Sequence, residues 1–150
     1  MPISQKTQYA VRAVFELAKR RGIGATKIGE IADAQAIPQR FLENILSQLK
    51  GGGFVESVRG KEGGYLLVRD PKNLTVGEIL RFVDGPFSPV DCTVGGKKKD
   101  SCPMEGSCPF RSLWNKAEQA LAQVYDAATF EELVIQEAEA ATARPLDFSI

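Results

Sequence analysis

Residues 26–68 read TKIGEIADAQAIPQRFLENILSQLKGGGFVESVRGKEGGYLLV. Thr26 is placed to cap a short helix whose Ile28, Ile31 and Ala32 share one side, and the chain then turns at Gln35, Ala36 and Ile37. Pro38 suits the first turn of the next helix, where a missing amide proton costs little. In that helix Phe41, Leu42, Ile45, Leu46 and Leu49 form an apolar stripe, and the opposite face carries Arg40, Glu43, Asn44 and Ser47. Gly51, Gly52 and Gly53 stop it. Phe54–Val58 and Tyr65–Val68 then read as two strands around a glycine-tipped loop from Arg59 to Gly64. Helix, turn, helix and hairpin in that order predict a winged helix-turn-helix.

Outward from this unit, Ala10, Ala13, Val14, Leu17 and Ala18 recur at helical spacing between Lys6 and Arg21, with Gly22 and Gly24 ending the run. Thr75 and Glu78 are spaced as a capping box for a helix to about Asp84, ended by Gly85 and Pro86. From Pro109 a long helix carries Phe110, Trp114, Ala117, Leu121, Val124 and Ala128 in alternating steps of four and three, a pattern suited to a partner helix in a second subunit. The same stripe packed back on its own domain is the plainer reading. Thr129 and Glu132 form a second capping-box pair for a last helix to about Ala141. The expected fold is mainly α with a small β hairpin. It divides into a winged helix-turn-helix domain over 1–85, a cysteine loop over 86–109, dimerisation helices over 110–141 and a flexible tail over 142–150.

The length of 150 residues gives room for one core and a helical appendage. The amino terminus has no uninterrupted apolar run after its first charges, so neither a secretory signal nor a membrane span is expected, and the cytoplasm is the expected compartment. Net charge is zero, but its distribution is uneven. Eleven Lys and Arg face six Asp and Glu over residues 1–69, against three and seven over 108–150. Such asymmetry arises by chance in many proteins and acquires meaning only beside a groove-reading motif.

That motif is present. A third helix laid in the major groove would present Arg40 to guanine or phosphate, Glu43 to the cytosine amino group, and Asn44 and Ser47 to base edges. Arg59 and Lys61 in the hairpin are placed for phosphates or a narrow minor groove. The alternative, that these side chains only solvate a bundle, fits the helix alone but leaves the basic, glycine-tipped hairpin unexplained. No catalytic acid–base pair or nucleotide-binding glycine fingerprint is visible, and Gly51–Gly53 follow a helix instead of a strand, so an enzyme is not expected.

Cys92, Cys102 and Cys108 are the only cysteines, and all lie in one Gly-, Lys-, Asp- and Pro-containing stretch. An odd count without a signal sequence argues against a disulfide framework, while leaving room for one disulfide and a free thiol. Structural zinc prefers four ligands and Cys-x-x-Cys knuckles, which are absent, and the chain has no histidine. An iron–sulfur cluster tolerates wider spacing but needs a fourth ligand, for which Gln8, Asp91, Asp100, Ser101, Glu105, a second subunit or an external molecule are candidates. Direct thiol sensing, zinc and inert cysteines remain the competing readings.

TQYAVRAVFELA (7–18), IPQRFLENILSQLKGGGFVESVRG (37–60), KEGGYLLVRDP (61–71), TVGEILRFVDG (75–85) and the three-cysteine loop together resemble the IscR/NsrR-type family of winged-helix transcription regulators over nearly the whole chain. The resemblance implies a homodimer on a palindromic or pseudo-palindromic operator, usually a repressor, whose DNA affinity is set by a [2Fe-2S] or [4Fe-4S] cluster sensing nitric oxide, oxygen, redox or iron–sulfur status. It places base reading on Arg40 and Glu43, with Gln39 and Asn44 alongside, a wing contact on Arg59, and cluster ligation on Cys92, Cys102 and Cys108. The chain departs from the pattern at Arg111, where cluster-assembly regulators carry histidine, and at Gln8, where nitric-oxide sensors carry an acid. A Gly96–Lys99 insertion also lengthens the first cysteine spacing. Two rivals are kept: a cluster-free thiol- or metabolite-responsive regulator of the same fold, and an electron-transfer or redox protein using the same loop.

Overall fold

The computed structural model describes residues 3–93, 102, 104 and 106–143. Within them the chain runs α1 (Gln5–Lys19), α2 (Ile28–Gln35), α3 (Gln39–Gly51), β1 (Val55–Val58), β2 (Gly64–Leu67), α4 (Val76–Asp84), α5 (Arg111–Ala127) and α6 (Phe130–Ala143). Short 3-10 turns lie at Pro71–Asn73 and Asp91–Thr93. The two strands are antiparallel, with Val55 opposite Leu67 and Val58 opposite Gly64. The architecture is mainly helical with one hairpin, as the sequence predicts, and the last helix extends two residues beyond the expected Ala141.

One apolar core joins α1, α2, α3, β1 and α4 through Val14, Ile31, Leu42, Leu46, Leu49, Val55 and Ile79. Its largest fully buried side chain is Phe130, the first residue of α6. The chain therefore returns to the head after α5, held there by Val76 N–H donating to the Ala128 carbonyl and Phe130 N–H to the Leu74 carbonyl, 2.9 and 3.0 Å. Both capping boxes form where expected. Glu78 N–H donates to Thr75 Oγ1 and Thr75 N–H to the Glu78 carboxylate, and Thr129 and Glu132 exchange the same pair of bonds.

Two sequence expectations are corrected. Thr26 does not cap α2; it is buried and forms a single antiparallel bridge with Tyr65, exchanging bonds of 2.9 and 2.8 Å. Lys27 is the N-cap, and its N–H is taken by Glu30 at 2.9 Å. The bridge docks the hairpin on the entrance to α2, and a Cβ at Gly64, whose φ is +156°, would collide with the Thr26 carbonyl. Phe41 does not join the core stripe. It is 46% exposed, whereas Leu42, Ile45, Leu46 and Leu49 are buried. At about 100° per residue, Phe41 lies roughly 90° from the centre of those four, on the edge between the core face and the polar face.

Candidate nucleic-acid interface and cysteine segment

The turn between α2 and α3 depends on Ala36, the one described non-glycine residue with positive φ, at +49°. It closes α2 in the left-handed conformation and lets Ile37 bury itself beside the core before Pro38 starts α3. The α1–α2 angle is fixed by a buried carboxylate. Glu16 on α1, 3% exposed, accepts from Arg20 Nε at 2.6 Å and from Gln35 Nε2 at the end of α2 at 2.7 Å. Burial pushes its carboxyl up, but the Gln35 and Arg20 hydrogen bonds, with the charges of Lys19 and Arg20, outweigh that and hold it below the ordinary glutamate range.

On the frame so set, Gln39, Arg40, Glu43, Asn44 and Ser47 are all exposed on α3, and Arg59 and Lys61 are exposed in the hairpin loop. Lys50 Nζ donates to Ser57 Oγ at 2.5 Å, tying the end of α3 to β1 and so fixing the wing relative to the helix. The structure thus presents the seven residues singled out in the sequence as exposed side chains on two adjoining elements. Such a face can donate and accept at base edges and neutralise phosphates. Phe41 and Tyr9 border this face, and the sequence assigned neither a part in it. For Phe41 the angular arithmetic along α3 was the available signal.

The cysteines lie elsewhere, between α4 and α5. Cys92 is exposed in a 3-10 turn that lies against α5, Cys102 is exposed, and Cys108 is half-buried with its carbonyl accepting from Arg111 N–H at 3.4 Å as α5 begins. All three are free thiols. Three thiolate donors suit an iron–sulfur centre chemically. Their arrangement does not complete a site, because among the described residues no three Cys, Asp or Glu side chains converge. Asp91 is exposed beside Cys92. Gln8 is exposed on α1, and its side-chain amide donates to the Ile3 carbonyl at 3.0 Å. Asp100, Ser101 and Glu105 lie outside the described residues.

Helix α5 links this segment to the head. Arg81 on α4 makes a two-pronged ion pair with Asp126 on α5, 2.7 and 2.5 Å, and its hydrogen bonds draw the Asp126 carboxyl below its ordinary range. Gly77 allows the approach, since a Cβ there would strike Asp126. Away from the head, no residue of α5 is fully buried: Leu113, Leu121 and Val124, with Phe110 at its N-cap, are 54, 42, 66 and 56% exposed. A helix carrying that much apolar surface fits a partner. No helix among the described residues is long and apolar enough to cross a membrane.

Known proteins share this arrangement. CymR of Bacillus subtilis is 36% identical over 133 residues, 89% of each chain. The structure of CymR, named as the global cysteine regulator of that organism, superposes with a TM-score of 0.73, covering 91% of this chain and 98% of CymR. IscR of Klebsiella pneumoniae is 32% identical over 89% of this chain and 80% of its own. The structure of T. potens IscR, 30% identical, gives a TM-score of 0.75 over 97% of this chain and 94% of its own. Its relatives are transcriptional regulators, not enzymes, and the Rrf2 profile, described as an iron-dependent transcriptional regulator, matches residues 3–136. With that match spanning the head, the cysteine segment, α5 and the first half of α6, the chain belongs to the Rrf2 family of transcriptional regulators.

Proposed function

We propose that this regulator is a cytoplasmic homodimeric repressor. It reads a palindromic or pseudo-palindromic operator with Gln39, Arg40, Glu43, Asn44 and Ser47 in the major groove and places Arg59 and Lys61 of the wing on the backbone or minor groove. The observation that carries this reading is the joint exposure of these seven side chains on a helix and hairpin tied together by Lys50–Ser57, with the hairpin also docked on the entrance to α2 by Thr26–Tyr65. The apolar face of α5 pairs the two protomers. Cys92, Cys102 and Cys108 supply thiolates to a [2Fe-2S] or [4Fe-4S] cluster, which when bound adds a redox-active, ligand-exchanging centre beside the dimer helix. The chain's own contribution is mechanical: the Arg81–Asp126 clasp makes a displacement of α5 a displacement of the reading head. A ligand of the cysteine segment that prefers one spacing of the two heads raises or lowers operator affinity, and operator binding changes the ligand's affinity by the same factor.

The likeness to CymR supports a second reading, in which the same segment responds to thiols or metabolites without a cluster. Iron and acid-labile sulfide analysis with visible spectra of anaerobically purified protein separates the two. The cluster reading expects a coloured protein with stoichiometric iron that Cys102→Ala or Cys108→Ala removes. Colourless, iron-free wild type hands the sensor role to the bare thiols.

A further inference from the structure

We infer that Phe41 is a positioning residue for base reading: its ring, braced by Tyr9 of α1, stacks on the Arg40 guanidinium and holds it oriented before DNA arrives. The inference rests on the proposed role of Arg40. The Arg40 guanidinium carbon lies 4.7 Å from the centre of the Phe41 ring, and the centres of the Phe41 and Tyr9 rings are 6.5 Å apart, tilted by 39°. Tyr9 is itself held, its hydroxyl accepting from Gln5 Nε2 at 2.9 Å. A hollow of about 420 Å³ lined by Gln5, Lys6, Tyr9, Phe41, Asn44 and Ile45 runs along this seam between α1 and α3. Phe41 therefore has no core to enter, and its ring is left half-exposed for the neighbouring cation.

The position of the cation over the ring matters chemically. A guanidinium that lies flat on a ring is contacted through its face and keeps its in-plane N–H donors free for the O6 and N7 acceptors of guanine. Among the described residues no carboxylate pairs with Arg40, so no ion pair competes for that fork. A long arginine otherwise loses rotamer freedom on binding, and a side chain already stacked has lost part of it beforehand. The ring therefore adds to discrimination between sequences and leaves the phosphate contribution alone.

A double-mutant cycle tests this. Wild type, Phe41→Leu, Phe41→Tyr, Arg40→Ala and the Arg40→Ala/Phe41→Leu double variant are titrated at one salt concentration against a duplex selected from random DNA by the wild-type protein and against a scrambled duplex. Melting temperature is followed for each. Phe41→Leu is expected to lose roughly two- to fivefold per protomer on the selected duplex only, with its melting temperature kept. Phe41→Tyr keeps wild-type affinity, and Phe41→Leu adds nothing once Arg40 is alanine. Equal losses on both duplexes, additive losses, or a failure of Phe41→Tyr to preserve affinity would overturn the inference. A normal Arg40→Ala loss beside a silent Phe41→Leu overturns the positioning role alone. A silent Arg40→Ala removes the base-reading role of Arg40, and this inference with it.

Discussion

Arg40→Ala is expected to weaken binding to the selected operator at least about 30-fold while barely changing affinity for scrambled DNA. A bidentate arginine–guanine contact is worth about 1–3 kcal/mol, and a dimer on a palindrome makes it twice, so about 2–6 kcal/mol is lost. Affinity for arbitrary sequence comes mostly from phosphate neutralisation, spread over several cations, of which Arg40 is one. Titration of both duplexes at fixed salt reads the ratio directly. A uniform loss on both would reduce Arg40 to a phosphate contact, and the change in salt slope would show it.

Glu16→Ala is expected to lower stability by about 1.5–3 kcal/mol, because it removes a buried charged acceptor shared by Gln35 and Arg20 and leaves Arg20 only its longer pairing with Glu30 at 3.6 Å. For a protein of this size that lowers the melting temperature by roughly 5–10 °C, compared at equal protein concentration. The pH dependence has a definite sign. Because the folded protein holds the Glu16 carboxyl below its ordinary value of 4.5, its contribution is complete above that value and disappears as the pH falls through the lower, folded value. Glu78, Asp84 and Asp126 are depressed in the same direction, each against its own burial: Glu78 by Arg69 and Thr75, Asp84 by Thr7 and Ser4, Asp126 by Arg81. Acid melts should therefore flatten in Glu16→Gln without becoming level. An acid profile identical to wild type would show that Glu16 is no structural anion.

What the sequence discloses follows the range of the interaction that decides each feature. The capping boxes at Thr75–Glu78 and Thr129–Glu132, the glycine stop after α3 and the amphipathic stripe of Leu42, Ile45, Leu46 and Leu49 are set within a turn or two of chain, and each forms where its residues predict. Thr26 is different. Its local surroundings favour a cap, but the hydrogen bonds offered by Tyr65 from the far side of the hairpin claim its backbone. Phe130 looks like an ordinary first residue of a helix, and only the fold brings it into the core of a head built by residues that precede it by half the chain.

The exposed polar face of α3 was legible because a helix displays its polar residues periodically, so Arg40, Glu43, Asn44 and Ser47 emerge together whatever else the protein does. The edge position of Phe41 was present in the same periodicity, but apolar chemistry placed it on the wrong side of the boundary. The cysteine segment has no such periodicity. Cys92, Cys102 and Cys108 are marked by element type and not by local geometry, so the sequence names three thiols there without saying what they bind.

Operator affinity of the anaerobic protein, measured before and after iron is stripped under reducing conditions, in wild type and in the Cys92→Ala/Cys102→Ala/Cys108→Ala variant, tests the central claim most directly. The account predicts that stripping shifts the wild-type affinity by tenfold or more, about 1.4 kcal/mol, within the usual range of coupling between sites, and leaves the variant unmoved. A wild type that holds its operator equally in both conditions, and equally with the three thiols gone, would contradict it.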